Sequence, residues 1–284
     1  MQVRRLPAVD TTHLARLPDL TIAGVRYRFT HQISQGNFST VFAASSEWGD
    51  TLVAKRYDAR VAPEIRRNEV ARLRQFASPW VAYLHAAFTH EQQHYLLLAD
   101  AGVPIGRCNF HNDLANAGMH VASRLLAGLN LIHAAGHVHG DINPQNILIE
   151  IGKDKRMGPV RLIDLAFCLP LARYQAANKP MALWMPLPEY LDRSLGERSQ
   201  TGDIYHAALS LLEILEQKRC AYTEAELLDD LPRREAAASP LPLTRALAPA
   251  LALRPDDRPS AIGLWRLLRA GHRPLPPSTG NTPA

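Results

Sequence analysis

The sequence predicts an α+β fold in which a β-rich N-terminal part precedes a larger, mainly helical part. Two observations indicate this class. Short stretches with strand character, interrupted by one helical stretch, occupy the first hundred residues. Longer apolar patterns of helical type follow, and the 284 residues, 46% of them hydrophobic, suffice to bury a sizeable core.

The first hundred residues are predicted to form strands around a single helix. Residues 51–57 have strand character and carry Lys55, and the helical stretch Pro63–Phe76 carries Glu69. Residues 1–22 are irregular, with room for one short strand. The other stretches with strand character are Tyr27–Ile33, Thr40–Ala44 and Tyr95–Leu98.

The most informative stretch is a polar loop at residues 139–146, His-Gly-Asp-Ile-Asn-Pro-Gln-Asn, which leads into an apolar strand. A further carboxylate, Asp164, follows a second short apolar run. One loop Asp, one loop Asn and one strand-end Asp are the side chains that phosphoryl transfer requires. Asp141 would accept or orient the attacking hydroxyl, while Asn146 and Asp164 would hold Mg²⁺ on the phosphates of ATP.

The order of these residues resembles that of the protein kinase family over about residues 25–270. The resemblance implies a bilobal fold, with a small antiparallel β-rich N-lobe that holds one key helix and a larger, mainly helical C-lobe. It also implies that a glycine-rich loop at residues 33–41 covers the phosphates, that Lys55 meets the α- and β-phosphates, and that Glu69 fixes Lys55 by an ion pair. The expected catalytic residues are Asp141, Asn143, Lys55 and Glu69.

The same resemblance places ATP between the lobes. The junction falls at residues 98–102, where an apolar strand meets Asp-Ala-Gly, and in the family the backbone of this hinge binds adenine. Val41 and Val53 would cover the adenine from above and Leu148 from below, although plain core packing explains the same three side chains. The expected nucleotide-binding residues are Ile33, Gly36, Ser39, Val41, Val53, Lys55, Leu98, Ala101 and Leu148, and the expected metal ligands are Asn146 and Asp164.

Three positions extend the resemblance through the C-lobe. Glu189 follows Leu-Pro where the family has Ala-Pro-Glu, Asp203 opens an apolar helix, and Arg258 stands where the family keeps the arginine that pairs with that glutamate. The expected divisions are an N-terminal extension at 1–24, a kinase-like domain at 25–271 with lobes at about 25–99 and 102–271, and a proline-rich disordered tail at 272–284.

The activation segment departs from the family pattern in a consistent way. Gly140 replaces the arginine that binds an activating phosphate, and residues 164–189 contain no Ser or Thr, with Tyr174 as the only hydroxyl side chain. We therefore expect that Ser/Thr phosphorylation does not control this segment. Either packing of its apolar residues or a regulatory protein bound to them would then order the segment. The alternative interpretation is that the loop sequence has drifted without functional consequence.

Other departures concern the nucleotide and the acceptor. Gly36 is the one glycine left in the glycine-rich loop, and Asp164-Leu165-Ala166 replaces Asp-Phe-Gly. Asn143 replaces a lysine that neutralises charge on the moving phosphoryl group, and it can donate a hydrogen bond but brings no charge. The loop at 139–146 is also similar to that of antibiotic and choline phosphotransferases, which act on small-molecule hydroxyls.

The favoured function is an ATP- and Mg²⁺-dependent protein kinase that phosphorylates protein Ser or Thr, of the eukaryotic-like type found in bacteria. A small-molecule phosphotransferase of the aminoglycoside or choline kinase type stays open, although no helical insertion lies between residues 164 and 203. A pseudokinase scaffold also stays open. A scaffold, however, has no use for all of Lys55, Glu69, Asp141, Asn146 and Asp164.

Composition limits the partners and the compartment. No apolar stretch reaches the ~18 residues of a membrane span, and three distant cysteines suit the reducing cytoplasm better than a disulfide scaffold. The net charge of +5 is modest, and aromatic and basic residues do not interleave as in proteins that stack bases, so nucleic acid is disfavoured as a partner. We expect a cytoplasmic protein that acts on a protein substrate.

Overall fold

The computed structural model describes residues 19–36, 38–110, 113–177 and 184–272. The described chain forms two lobes and confirms the predicted α+β class, because an antiparallel sheet precedes a part built mainly from helices. Most of the expected N-terminal extension, and all but the first residue of the expected proline-rich tail, lie outside the described residues. No helix in these ranges is long and apolar enough to cross a membrane.

The N-lobe is built on one antiparallel sheet. Its strands are β1 (Leu20–Ile22), β2 (Val25–Gln35), β3 (Ser39–Ser46), β4 (Thr51–Tyr57), β5 (Leu84–His90) and β6 (Gln93–Ala99). They lie in the order β1-β2-β3-β4-β6-β5. Strand β1 falls within the stretch expected to be an extension, and it pairs with β2 from Leu20 opposite Tyr27 to Ile22 opposite Val25. The sheet therefore begins before residue 25.

Strand β4 carries Lys55 on the face that looks towards the cleft between the lobes. Side chains alternate along a strand, so Val53, Lys55 and Tyr57 share that face. Leu52 and Ala54 point the other way and belong to a separate apolar cluster of the N-lobe. Because β4 lies between β3 and β6, the position of Lys55 is fixed by hydrogen-bonded neighbours on both sides.

Helix α1 (Pro63–Gln75) packs against the cleft face of the sheet. Pro63 stands at its first position, where a missing N–H has no intrahelical partner to lose. Glu69 and Leu73, four residues apart, are its buried side chains. The helix ends at Phe76, whose N–H is donated to the carbonyl oxygen of Arg72. The spacing of the two buried residues thus directs Glu69 towards Lys55.

The hinge between the lobes crosses closely over a C-lobe strand, β9 (Ile147–Ile151). Gly102 has a φ of +93°, and a β-carbon at this position would lie 2.2 Å from the carbonyl oxygen of Ile149. Only glycine therefore fits at this crossing. The hinge continues into β7 (Val103–Pro104), which pairs with β9 and so brings Leu148 under the cleft.

The C-lobe is centred on two long helices, α2 (Leu114–Ala134) and α5 (Thr201–Glu216), which pack together in the main apolar core. Helix α2 is followed by Gly136, whose φ of +72° turns the chain into the short strand β8 (His137–Val138) and the loop at 139–146. The other strands and α-helices of the described residues are β10 (Met157–Leu162), β11 (Leu169–Pro170), α3 (Leu171–Ala176), α4 (Pro188–Leu191), α6 (Glu224–Leu228), α7 (Leu231–Ala238), α8 (Pro242–Arg245) and α9 (Ala261–Gly271).

Candidate active site

Three charged side chains meet at the wall of the cleft between the lobes. The Nζ of Lys55 lies 2.8 Å from both carboxylate oxygens of Glu69 and 2.9 Å from Oδ1 of Asp164. The predicted ion pair between Lys55 and Glu69 is therefore present, and the same ammonium group contacts the carboxylate that the sequence assigns to Mg²⁺. Strand β4, helix α1 and the segment after β10 contribute one side chain each, so the cluster depends on both lobes.

Burial and charge oppose each other in this cluster. Glu69 is 1% exposed and Lys55 7%. Burial would lower the pKa of Lys55, but the nearby carboxylates of Asp164 and Glu69 outweigh burial and raise that pKa. Burial would likewise raise the pKa of Asp164, but the charge of Lys55 lowers it overall. Lys55 and Asp164 are therefore fixed charges of opposite sign at neutral pH.

Tyr57 belongs to the same cluster, although the sequence analysis did not identify it. Its hydroxyl donates to Oε2 of Glu69, and the Nζ of Lys55 lies 5.4 Å from the centroid of its ring. Tyr57 stands two residues after Lys55 on β4, so the alternation of side chains along a strand is the signal that could have found it. Lys55 and Tyr57 together bind both oxygens of the buried Glu69 carboxylate.

The loop at 139–146 surrounds Asp141 with two amide side chains. The Nδ2 of Asn146 donates to Oδ2 of Asp141 at 2.8 Å and to its backbone carbonyl at 2.9 Å. Asn143 donates to Oδ1 of Asp141 at 3.2 Å, and its own Oδ1 accepts the N–H of Gln145. The amide of Asn143, which the sequence assigns to the moving phosphoryl group, therefore points at the carboxylate of Asp141.

Asp203 fixes this loop from the side of α5. It accepts the backbone N–H of His139 at 2.7 Å and that of Gly140 at 2.9 Å. Its Oδ2 also lies 2.9 Å from Nε2 of His133 on α2. Burial opposes ionisation of Asp203, but the contact with His133, the proximity of His139 and the hydrogen bond from the Gly140 N–H lower its pKa overall. The backbone just before Asp141 is thus held by a buried carboxylate.

The environment of Asp141 raises its pKa to about 7. Burial is the main cause and the negative charge of Asp164 is the second, while the hydrogen bonds from Asn146 and Asn143 act in the opposite direction. A carboxyl group with a pKa near neutrality can accept a proton and release it again at physiological pH. The shift depends on burial and on the approach of Asp164, neither of which is visible in the sequence.

A cavity of about 400 Å³ lies between the lobes beside Lys55. Arg107 and Gln145, which the sequence analysis did not identify, form part of its wall, whereas Asp141 and Asn143 lie outside its lining. The nucleotide residues expected from the sequence all line it: Ile33, Gly36, Ser39, Val41, Val53, Lys55, Leu98, Ala101 and Leu148. Glu69, Asn146 and Asp164 line it as well.

Gly36 lies at the turn between β2 and β3 and differs in its role from Gly102. Its N–H is donated to the carbonyl oxygen of Ser39 at 2.9 Å. A β-carbon at Gly36 would meet that same oxygen at 3.8 Å, which is an ordinary contact. The described surroundings therefore do not require glycine here.

Oxygen donors for a divalent metal ion are available from two residues of the cavity wall. The amide nitrogen of Asn146 faces Asp141, which turns its carbonyl oxygen away from that carboxylate. Lys55 contacts Oδ1 of Asp164, and the Asp164 side chain is 32% exposed at the cavity, where a metal ion could reach it. This pair fits Mg²⁺, which takes one or two carboxylate or carbonyl ligands and completes its shell with phosphate and water. The described residues contain no cluster of three or more His, Cys, Asp or Glu that could hold a metal.

A second buried ion pair lies in the C-lobe, away from the cavity. Arg258 donates to Glu189 from Nη1 at 2.9 Å and from Nη2 at 2.7 Å, and both side chains are 0% exposed. Arg258 also donates to the carbonyl oxygens of Ala252 and Leu253, and its guanidinium lies 4.7 Å from the ring centroid of Tyr205. The pair predicted from the sequence is confirmed.

Known proteins resemble this chain over most of its length. A family model described as "Protein kinase domain" matches residues 27–239. "Probable serine/threonine-protein kinase zyg-1" of Caenorhabditis elegans is 24% identical over 194 residues, which are 66% of this chain and 27% of that protein. "Cell division control protein 2 homolog 2" of Trypanosoma brucei brucei is 29% identical over 178 residues, which are 58% of this chain and 50% of that protein.

A bacterial protein shows a similar match. "Probable serine/threonine-protein kinase pknA2" of Bifidobacterium longum is 27% identical over 214 residues, which are 68% of this chain and 27% of that protein. The chain thus spans between about a quarter and a half of the length of these curated relatives. The family match includes every residue of the Lys55 cluster and of the loop at 139–146. The chain therefore belongs to the protein kinase domain family, whose members use ATP and a divalent metal ion.

Proposed function

We propose that this domain transfers the γ-phosphate of ATP, in the presence of Mg²⁺, to a Ser or Thr hydroxyl of a protein. The observation that carries the proposal is that Lys55, Glu69, Asp164 and Asn146 line one cavity, while the carboxylate of Asp141 is hydrogen-bonded to Asn146 beside it. The cavity volume of about 400 Å³ lies in the range of small-molecule and cofactor sites. A protein that only binds partners would not need this set of charges.

The residues of the cavity wall divide into those that would hold the nucleotide and those that would hold the metal. Lys55, fixed by Glu69 and Tyr57, offers a point charge to the phosphates. We assign Asn146 and Asp164 to Mg²⁺, which when bound neutralises charge on the phosphate oxygens. The phosphates would then compete with Asp164 for the ammonium group of Lys55, which would weaken the Lys55–Asp164 contact in the loaded enzyme.

We assign Asp141 the role of proton acceptor for the attacking hydroxyl. Its two carboxylate oxygens receive hydrogen bonds from Asn143 and Asn146, which support a fixed orientation. Its pKa of about 7 supports proton exchange near neutral pH. Asn143 then acts on the reaction by orienting Asp141, and it does so without the positive charge of the lysine that the family keeps at this position.

A protein acceptor is favoured by the C-lobe. The Glu189–Arg258 pair and Asp203 follow the protein kinase pattern, and small-molecule phosphotransferases of this fold lack that pattern. Two of the three relatives above carry the name serine/threonine-protein kinase. The second candidate is a small-molecule phosphotransferase, because the loop at 139–146 resembles the loop of those enzymes. The two candidates differ only in the acceptor, so a direct assay separates them.

We infer that packing orders the described parts of the activation segment, residues 164–177 and 184–189, without a phosphate. A β-carbon at Gly140, where φ is +79°, would meet the carbonyl oxygen of Phe167 at 3.1 Å and the ring of Tyr174 at 3.4 Å. Tyr174 is buried, and its hydroxyl accepts a hydrogen bond from that of Tyr190 at 2.7 Å. Tyr174 therefore fills the space beside Gly140. The alternative is a regulatory protein that covers the segment and orders it in trans.

The odd number and wide spacing of the cysteines support a reducing compartment, and we propose the cytoplasm. The partner there would be a protein substrate.

The test of the function is transfer of label from γ-labelled ATP with Mg²⁺ to the proteins of a heat-inactivated lysate and, separately, to choline and to aminoglycosides. We expect labelled protein, lost in Asp141→Asn. Asp154→Asn is the matched control, because Asp154 is an exposed carboxylate between β9 and β10 that pairs with Arg156. Label on the small molecules alone would favour the second candidate, and label on neither acceptor would favour the scaffold.

A further inference from the structure

Asn68 joins helix α1 to the chain that follows Asp164. Its Nδ2 donates to the carbonyl oxygens of Ala166 and Cys168, both at 2.9 Å. Its Oδ1 accepts from Nε of Arg72, one turn further along α1, at 3.3 Å. Because the two acceptors are carbonyl oxygens, the reversed amide would bring oxygen against oxygen, and the orientation of the side chain is unambiguous.

The stretch that Asn68 holds has an unusual backbone. Asp164 has a φ of 59° and a ψ of 65°, a left-handed conformation that residues other than glycine keep only where surrounding contacts enforce it. A single 3₁₀ turn, Leu165–Phe167, follows directly. Ala166 stands in that turn where the family has glycine, and Leu165 and Cys168 are completely buried. Asn68 contacts the carbonyl oxygen of Ala166 within this turn and that of Cys168 directly after it.

Two neighbouring residues of α1 thus hold Asp164 by different routes. Glu69 acts through Lys55, which contacts the Asp164 carboxylate, and Asn68 acts through the backbone of the turn. The first route ends on the Asp164 side chain, which is 32% exposed at the cavity. Phosphates of a bound nucleotide would compete there for the ammonium group of Lys55, and a metal ion would also bind the Asp164 carboxylate. The second route is neutral and lies outside the lining of the cavity, so a bound nucleotide does not compete with it.

We propose that Asn68 is a positioning residue that keeps Asp164 oriented for metal binding when nucleotide weakens the Lys55–Asp164 contact. Its amide couples the register of α1 to the conformation of Asp164, in a chain whose activation segment has no Ser or Thr to phosphorylate. The proposal rests on the proposed phosphoryl transfer. Asn68 itself touches neither the nucleotide nor the acceptor.

The test compares Asn68→Asp and Asn68→Ala with the wild-type chain. Asn68→Asp keeps the size of the side chain but sets an oxygen against two carbonyl oxygens, so it is the stronger variant. Asn116→Asp is the matched control. The Nδ2 of Asn116 donates to Asp113 at 2.6 Å at the exposed start of α2, and the substitution likewise replaces this amide donor by a carboxylate oxygen. All three variants conserve Asp164, Lys55 and Glu69.

The first readout is the Mg²⁺ concentration that gives half-maximal transfer at saturating ATP. Loss of one or two hydrogen bonds corresponds to about tenfold, so we expect a rise of about tenfold in Asn68→Asp, a smaller rise in Asn68→Ala and none in Asn116→Asp. A residue with a purely structural role would lower the melting temperature without moving this concentration. That outcome would overturn the proposal.

The second readout does not depend on activity. The amide of Cys168 is bonded to the carbonyl oxygen of Leu165 at 3.1 Å, and we expect its hydrogen exchange to become about tenfold faster in Asn68→Ala and unchanged in Asn116→Asp. Equal exchange in wild type and Asn68→Ala would overturn the proposal even if the wild-type chain transferred phosphate. An inactive wild-type chain would contradict the proposed function, while the exchange experiment would still decide whether Asn68 holds the turn.

Discussion

Two buried ion pairs occupy different settings in the two lobes. The Lys55–Glu69 pair lies in the wall of an open cavity and shares its ammonium with Asp164, which is partly exposed. The Glu189–Arg258 pair is closed off from solvent, and two further N–H groups of Arg258 donate to the backbone carbonyl oxygens of Ala252 and Leu253. The charges therefore balance within the Glu189–Arg258 pair, whereas the single positive charge of Lys55 is shared between two carboxylates.

The difference lies in the charge that each group leaves uncompensated. The charges of Glu189 and Arg258 cancel. The planar guanidinium of Arg258 forms two parallel hydrogen bonds with the Glu189 carboxylate. One lysine faces two carboxylates in the other group, which leaves one negative charge at the cavity beside a compact, easily redirected ammonium. The negative charge left at the cavity can attract a metal cation, whereas the neutralised Glu189–Arg258 pair in the core stabilises the fold.

The largest effect is expected from Lys55→Met. Transfer should fall on the order of 10³-fold or more, because the fixed positive charge at the phosphates is lost. The same change leaves Glu69 without its cation. Tyr57 still donates to Glu69, and burial raises the pKa of this carboxyl group, so it can take up a proton once Lys55 is absent, and the unfolding free energy should fall by only about 1–3 kcal/mol. Initial rates and urea unfolding measure the two quantities. A rate within tenfold of wild type would remove Lys55 from the mechanism.

Arg258→Ala should show the opposite balance. It leaves the Glu189 carboxylate unpaired in the core, which destabilises the fold by about 3–5 kcal/mol. Arg266→Ala, on the exposed side of α9, is the control and should change the unfolding free energy by less than about 0.5 kcal/mol. If the urea midpoints of the two variants coincide, the Glu189–Arg258 pair does not stabilise the fold.

The pH dependence of kcat/KM tests Asp141, the carboxylate assigned as proton acceptor. Its pKa of about 7 means that the group is protonated at lower pH and cannot accept a proton there, so kcat/KM should rise tenfold per pH unit up to about pH 7 and then level. Asn143→Ala removes a hydrogen bond to the ionised form and should move this limb to higher pH. A profile that is flat from pH 5.5 to pH 8 would mean that Asp141 is not the proton acceptor.

The smallest effect is expected from Tyr174→Phe, because packing of the Tyr174 ring, and not a charged group, orders the chain beside Gly140. Tyr174→Phe removes one hydroxyl contact with Tyr190 but keeps the ring beside Gly140, so stability should fall by about 1 kcal/mol and the rate should stay within twofold of wild type. Phosphatase treatment should leave the rate unchanged as well. A large loss after either change would point to a phosphorylated residue as the switch.

Much of the fold and the order of the site residues could be predicted from the sequence. Residues 51–57 form β4 and the helix from Pro63 ends one residue before the predicted position, because both stretches have strong local patterns. The short elements of the C-lobe, such as α6 and α8, were not predicted, since elements of four or five residues depend on tertiary packing for their stability.

The parts of the site that were missed depend on contacts between elements. Tyr57 and Asn68 stand near Lys55 and Glu69 in the sequence, but their partners lie on α1 and on the turn after Asp164. The requirement for glycine at position 102 comes from the approach of β9. The direction in which Asn143 donates, and the raised pKa of Asp141, likewise follow from burial and packing. A sequence motif can identify a site residue, but its hydrogen bonds and its pKa depend on residues that are distant in the sequence.

The most direct test of the contrast between the two ion pairs is the melting temperature measured with and without millimolar ATP and Mg²⁺. A ligand that binds only the folded state stabilises it by mass action, by about 2.7 kcal/mol at a hundred times the Kd. The account predicts that wild type gains stability on adding nucleotide, that Lys55→Met gains none, and that Arg258→Ala starts from a lower melting temperature but keeps the full gain. An unchanged wild-type melting temperature, or a gain retained in Lys55→Met and lost in Arg258→Ala, would contradict it.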